Sequence, residues 1–220
     1  MIQTVIFDMD GVIIDSEPVH HYAYNQLFKQ LGIEISPVLY ASFTGNSTKN
    51  IFERLKVIYN LEDDVDTLVN AKRDLFNSAF DSKEDLYLLD GVENLIHDLH
   101  QNGMQMVLAS SSAKVTIERI FKRFDLNQYF THKVSGEDFP KSKPHPAIFE
   151  QAAFLAQTPR ENCIVIEDST NGIIAANAAG IYCIGFNSVH SKLQDLSSAN
   201  QVIQHFDELS FDSIRNIVVG

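Results

Sequence analysis

The chain has 220 residues, a formal net charge of −12, 45% hydrophobic residues and 21% charged residues. This is an ordinary globular composition, long enough for one large domain or one domain with an insert. The acidic surplus disfavours nucleic acid and anionic membrane as partners, and leaves any anionic substrate to be held by local cations.

Val5-Ile6-Phe7 is an apolar, β-branched run that reads as a buried strand. It stops at Asp8-Met9-Asp10-Gly11, where glycine allows a turn. The two carboxylates therefore stand at the carboxyl end of a strand, where open α/β sheets place their ligands. They repel each other, so a cation is expected between them. Ser16-Glu17-Pro18 has the capping hydroxyl, the acid and the proline of a helix start, and Gly32 ends that helix after Leu31. Ser47 opens a second helix with Ile51, Phe52, Leu55 and Ile58 on one face, and a third follows Asp63-Asp64. Residues 15–88 are expected to be all helical and to form an insert.

From Asp90 the pattern alternates. A helix through Leu95, Ile96 and Leu99 precedes a strand at Met104–Ala109, and Ser110–Ser112 cap the next helix. A short strand is expected near His132–Val134, then a helix entered at Pro146, a strand at Cys163–Ile166 and a helix at Asn171–Ala179. A strand at Tyr182–Gly185 and a last helix at Asp207–Ile217 complete the chain, with Ser188–Asn200 as an irregular surface loop. Alternating strands and helices imply parallel pairing with right-handed crossovers. The fold class is α/β: a doubly wound, Rossmann-like parallel sheet built from residues 1–14 and 89–220, with a small α-helical insert at 15–88. Cys163 and Cys183 lie in apolar runs and read as buried strand residues. No leader pattern and no apolar run of membrane-spanning length is seen, so a cytoplasmic location is expected.

Three further polar features follow strand ends. Ser110 and Ser111 stand at a strand-to-helix junction, where a hydroxyl and free N–H groups bind anions. Lys143 lies in Ser142-Lys143-Pro144-His145-Pro146, just before a helix in a loop that the prolines restrict, and a fixed ammonium neutralises phosphate oxygens. Glu167 and Asp168 end the strand Ile164-Val165-Ile166. With Asp8 and the Asp10 carbonyl they could supply the oxygen ligands that Mg²⁺ takes. In a parallel sheet these ends converge on one edge, and the combination points to phosphoryl transfer.

Asp8-Met9-Asp10-Gly11, Ser110, Lys143-Pro144 and Glu167-Asp168 resemble the four motifs of the haloacid dehalogenase superfamily, and the insert resembles its small helical cap. The stretches Asp8 to Ser16, Ala109 to Ser112, Ser142 to Pro146 and Glu167-Asp168-Ser169 are similar to the branch holding β-phosphoglucomutase and small sugar-phosphate phosphatases. The resemblance implies Asp8 as nucleophile, Asp10 as general acid and base, and Ser110, Ser111 and Lys143 as phosphate ligands. It implies Mg²⁺ bound by Asp8, Asp10 and Asp168, with Glu167 binding through water or orienting that shell. It also implies tentative cap roles for Ser16, His20 and Lys72. Thr48 stands where the mutase carries arginine, and Ala113 where it carries lysine. These departures favour hydrolysis of a small sugar phosphate over isomerisation. A non-catalytic sugar-phosphate sensor is the remaining alternative. The expected partner is a small phosphorylated metabolite, and the expected state a monomer or weak dimer.

Overall fold

A computed structural model of the chain describes residues 1–188, 191 and 193–218. In chain order the elements begin with β1 (Thr4–Phe7), α1 (Glu17–Leu31), α2 (Pro37–Ala41), α3 (Thr48–Tyr59) and α4 (Val65–Ser82). Next come α5 (Val92–Gln101), β2 (Gln105–Ser110), α6 (Lys114–Arg123), β3 (His132–Ser135) and α7 (Ala147–Leu155). The last are β4 (Cys163–Glu167), α8 (Thr170–Ala178), β5 (Tyr182–Phe186), β6 (Gln201–Ile203) and α9 (Phe211–Arg215).

Among the described residues the strands form one six-stranded sheet in the order β3-β2-β1-β4-β5-β6, all pairs parallel. The side-chain period of two sends alternate residues to opposite faces, and both faces are covered. Val5, Phe7, Met106, Leu108, Ile164 and Ile166 pack with α5 and α6. Ile6, Val107, Ala109, Cys163, Val165 and Cys183 pack with α7 and α8. Each such side chain contributes roughly 1.5–3 kcal/mol on burial, which is why these strands read as continuous apolar runs. No described helix is long and apolar enough to cross a membrane.

The insert between β1 and α5 has an apolar centre of its own, made by Tyr24, Leu27, Phe28, Phe43, Ile51, Phe52, Leu55 and Leu68. It is also anchored to the sheet, since Val19, Ala23, Phe76 and Phe80 join the cluster that contains Phe7.

Several expectations are corrected. The insert holds a fourth helix, α2, entered by Ser36 as a side-chain cap with Pro37 in its first turn. Ser110 ends β2 and does not cap α6, whose N-cap is Ala113. The stretch expected as one final helix is a 3₁₀ turn at Phe206–Glu208 followed by α9, because Ser210 caps a new start with extended backbone. β6 was not expected. The loop expected over 188–200 has no described helix or strand, but it is not purely a surface loop: Ser188, Ser191 and Leu196 are buried. Residues 189, 190 and 192 of it lie outside the described residues.

Candidate active site

β1 lies at the point where the chain order of the sheet reverses, with β2 on one side and β4 on the other. Phe7 pairs with Leu108 and with Ile166, so Asp8 follows at the level of Ala109 and Glu167. Its N–H still donates to the Ile166 carbonyl at 3.0 Å. Gly11 then turns the chain with φ +83°, and a Cβ there would occupy the space of the Asp168 carboxylate. The tight turn and the close approach both require glycine at that position.

Lys143 joins the strand ends. Its side chain is 2% exposed. The ammonium donates to Asp8 Oδ1 at 2.6 Å, Glu167 Oε1 at 2.8 Å and the Ala109 carbonyl at 3.1 Å. Burial alone would lower its pKa, but the charges of Asp8 and Glu167 hold it above the ordinary lysine value. Glu167 Oε2 accepts from the Ser169 N–H at 2.8 Å and the Ser169 hydroxyl at 2.9 Å, so both its oxygens are bonded. Gly172 is packed so closely that a Cβ would fall on the Glu167 carboxylate.

The carboxylates respond differently to this environment. Burial pushes the Asp8 carboxyl up to about 8; Lys143 opposes the rise, while Glu167 and Asp10 add to it. Burial, then the charges of Glu167 and Asp8, hold Asp168 well above the usual carboxylate range. Asp8, Glu167 and Asp168 can each direct one oxygen into a space where these atoms lie within 4.8 Å of one another. Three buried acids against one ammonium are a poor balance unless a cation joins them. An all-oxygen donor set suits a hard ion such as Mg²⁺.

Asp10 is held the other way. Burial would raise it, but hydrogen bonds from and the charge of His20, with bonds from Ser16 and Ser112, hold it well below the usual range. Its Oδ1 accepts from the Ser16 hydroxyl and lies 3.3 Å from His20 Nε2, and its Oδ2 accepts from the Ser112 hydroxyl at 2.7 Å. Ser16 therefore spends its hydroxyl on Asp10; it makes no side-chain cap to α1. His20 Nδ1 lies 2.6 Å from Lys72 Nζ, which is buried over the rings of Tyr24 and Phe76. Burial is the main reason that Lys72 falls to about 7, with Asp10 and Glu17 opposing and Arg73 adding. Lys72 is thus not the solvated helix face that its neighbour Arg73 suggests.

Each residue singled out in the sequence lies at this edge or is linked to it. Ser110 is fully buried, and its hydroxyl accepts from the Ser112 N–H at 3.1 Å. Ser111 donates to the Gly45 carbonyl at 3.1 Å, bridging core and insert. The sequence reading missed Ser112, although it is the third member of the same serine run. It also missed the insert residues that wall the cavity over Asp8, among them Glu17, Tyr24, Tyr40 and Asn46. No local motif marks these, because only tertiary packing brings α1, α2 and the following loop together. Asn50 from α3 donates to the Ser142 hydroxyl at 2.6 Å, beside Lys143.

The chain as a whole is similar to known proteins. Hexitol phosphatase B of Escherichia coli K12 is 30% identical over 81% of this chain and 80% of its own length. Phosphoglycolate phosphatase of Pseudomonas fluorescens is 24% identical over 98% of this chain and 78% of that protein. In structure, β-phosphoglucomutase of Clostridium difficile has a TM-score of 0.85 at 28% identity, covering 98% of this chain and 96% of that one. Rhodobacter sphaeroides CbbY in complex with phosphate has a TM-score of 0.87 at 23% identity, covering 99% and 100%, a likeness of fold. Residues 5–186, which contain every strand-end acid, Lys143 and the whole insert, match the haloacid dehalogenase-like hydrolase family, and the chain belongs to it.

Proposed function

We propose that the protein is a Mg²⁺-dependent phosphatase of a small sugar or polyol phosphate, working through an aspartyl-phosphate on Asp8. The observation that carries this reading is the buried Lys143 ammonium, shared by Asp8 and Glu167 beside Asp168. Residues 15–88 act as the cap domain over a core of 1–14 and 89–220.

Asp8 attacks phosphorus, and the ester P–O bond breaks as the leaving alkoxide takes a proton from Asp10. His20, Ser16 and Ser112 keep Asp10 ionised in the free protein, and it takes up that proton from solvent when the anionic phosphate enters beside it. A water then attacks the phosphorus and passes its proton to Asp10, and the bond to Asp8 breaks to release phosphate. Asp8 and Asp168 would hold the cation, and Glu167, whose oxygens are already bonded, would orient Lys143 and that shell. When bound, the cation supplies charge that keeps Asp8 ionised and offsets the phosphate. The N–H groups after β2 bind phosphate oxygens, the Lys143 ammonium offsets their charge from its place against Asp8, and the Ser111 hydroxyl joins them by exchanging the Gly45 carbonyl for a phosphate oxygen. The pairing of Asp10 with Ser16, Ser112 and His20 fixes the carboxylate that must shuttle the proton.

The named activity of the E. coli relative supports hydrolysis. The Clostridium difficile structure favours a second reading, isomerisation of a sugar phosphate. The test is phosphate release from p-nitrophenyl phosphate and a panel of sugar phosphates, with Mg²⁺ and with EDTA. β-Glucose 1-phosphate plus the 1,6-bisphosphate is assayed for isomerisation. Turnover that needs the cation and disappears in Asp8→Asn is expected. Normal turnover in Asp8→Asn, or none by the wild type, overturns the mechanism, and isomerisation faster than release selects the mutase.

A further inference from the structure

The cavity over Asp8, about 100 Å³, carries a feature that the phosphoryl chemistry does not use. Its insert side is walled by Glu17 and Tyr24 of α1, Tyr40 of α2, Asn46 of the next loop and Thr48 of α3. No lysine or arginine lines it among the described residues. His20 is committed at both nitrogens, Nε2 to Asp10 and Nδ1 to Lys72. The Glu17 carboxylate accepts from the Tyr40 hydroxyl at 3.0 Å and forms no ion pair among the described residues. As the first residue of α1 it is favoured by the helix dipole, which helps an acid to stand there with no ion pair among the described residues, the Lys72 amine acting on it only at longer range. The dipole does not require the carboxylate to face the cavity. Burial first, then the charge of Glu17, keep the Tyr40 phenol protonated as a donor.

The space reserved for the leaving alcohol thus contains a carboxylate, phenols, an amide and a hydroxyl. These groups hydrogen-bond to hydroxyls. A second anion close to the ester would be desolvated against Glu17, with no lysine or arginine among the described residues lining that cavity to meet it. The larger neighbouring cavity, about 460 Å³, is lined by Lys49, Lys72 and Arg73, of which Arg73 is tied to Glu137 and Lys72 to His20. An anion far from the ester would reach that region, beyond Glu17.

We propose that Glu17, braced by Tyr40, determines the alcohol half of the substrate: it accepts a hydrogen bond from an uncharged polyol and turns away alcohols with an anionic group near the ester. This rests on the reading of the site as a phosphate-monoester hydrolase.

Glycerol 3-phosphate and 3-phosphoglycerate test it, because they match in length and differ by a hydroxymethyl against a carboxylate. Their kcat/KM values are measured with Mg²⁺ for wild type, Glu17→Gln and Tyr40→Phe, with p-nitrophenyl phosphate as reference. The wild type should prefer glycerol 3-phosphate. Glu17→Gln should shift the ratio toward 3-phosphoglycerate by about tenfold or more, the size expected for a like-charge repulsion partly screened by solvent. Tyr40→Phe keeps the charge, so it should move the ratio by less than about twofold, within the worth of one weak hydrogen bond. A purely structural role would lower all rates together and leave the ratio unchanged. An unchanged ratio in Glu17→Gln, with p-nitrophenyl phosphate still hydrolysed, overturns the assignment of Glu17 alone. Absence of turnover of every ester by the wild type overturns the hydrolase reading and this one with it. Should Glu17→Gln not fold, Glu17→Ala must give the same shift, and its failure to do so counts equally against the proposal.

Discussion

Replacing Lys143 with methionine removes the ammonium while keeping a side chain of similar reach over Phe149. The wild-type group makes three hydrogen bonds and is 2% exposed. Without it, Asp8 and Glu167 face each other in a buried site with no cation. Breaking a buried ion pair from one side costs about 3–5 kcal/mol. For a chain of this size that is a fall in Tm of about 6–20 °C. The pH dependence gives the sharper test. Asp8 already titrates near 8 in the folded chain against 3.8 as its ordinary value, and losing Lys143 raises the folded value further. Between those values the folded chain keeps a proton that the unfolded chain releases, so stability falls as pH rises. Below about pH 8 both folded proteins keep that proton and lose stability in parallel; above it the wild type releases the proton and the variant does not, so the gap between them should widen from about pH 8 to about pH 10 in EDTA, and narrow on adding Mg²⁺. Calorimetry of both proteins at both pH values measures this. A loss of the same size at each pH, or a loss below about 2 °C, would refute the account of Lys143 as the counter-ion of the buried acids.

Asp10→Asn should cut turnover of alkyl phosphates on the order of a hundredfold or more, and of p-nitrophenyl phosphate far less, since a phenolate leaves without a proton; steady-state kinetics on both substrates measures the difference. Gly172→Ala places a methyl on the Glu167 carboxylate, which is pinned by Ser169 and Lys143, and should cost about 1–3 kcal/mol by denaturant unfolding. Lys72 titrates near 7 when folded and at 10.5 ordinarily, so the unfolded chain binds the extra proton between those values and stability rises with pH across them. Lys72→Met should remove that upward slope in a series of melts, and a slope equal to wild type would exclude a neutral buried amine.

The strand-end chemistry was legible because its determinants are local. A β-branched run ending in acids says where a strand stops and what stands there, as at Phe7-Asp8 and Ile166-Glu167. Helix α1 was legible for the same reason, from Pro18 to Gly32. Helix α2 carried its signal in Ser36-Pro37, but five residues are too few to show a helical period. Strand β6 has three residues with Val202 exposed at the sheet edge, so no buried run announces it. The use of Ser16 and Ser112 was hidden differently. Both stand where capping is the local expectation, and they add to the effect of His20 in holding the Asp10 carboxyl low by turning to it across 6 and 102 positions. The place of Lys72 was hidden too, because its neighbour Arg73 pairs outward to Glu137 while Lys72 points inward.

The division of labour along the chain has a practical side. Asp8, Ser110, Lys143 and Asp168 come from segments far apart in sequence and are aligned by the register of the rigid sheet. The walls facing the alcohol, from Glu17 to Thr48, lie in one uninterrupted piece of chain with an apolar centre of its own. A graft of that single piece from a relative, with His20 kept against Asp10, would carry a new preference for the alcohol while leaving the reacting groups in their places. The piece is a cassette, and the sheet beneath it is the fixed instrument into which it is loaded.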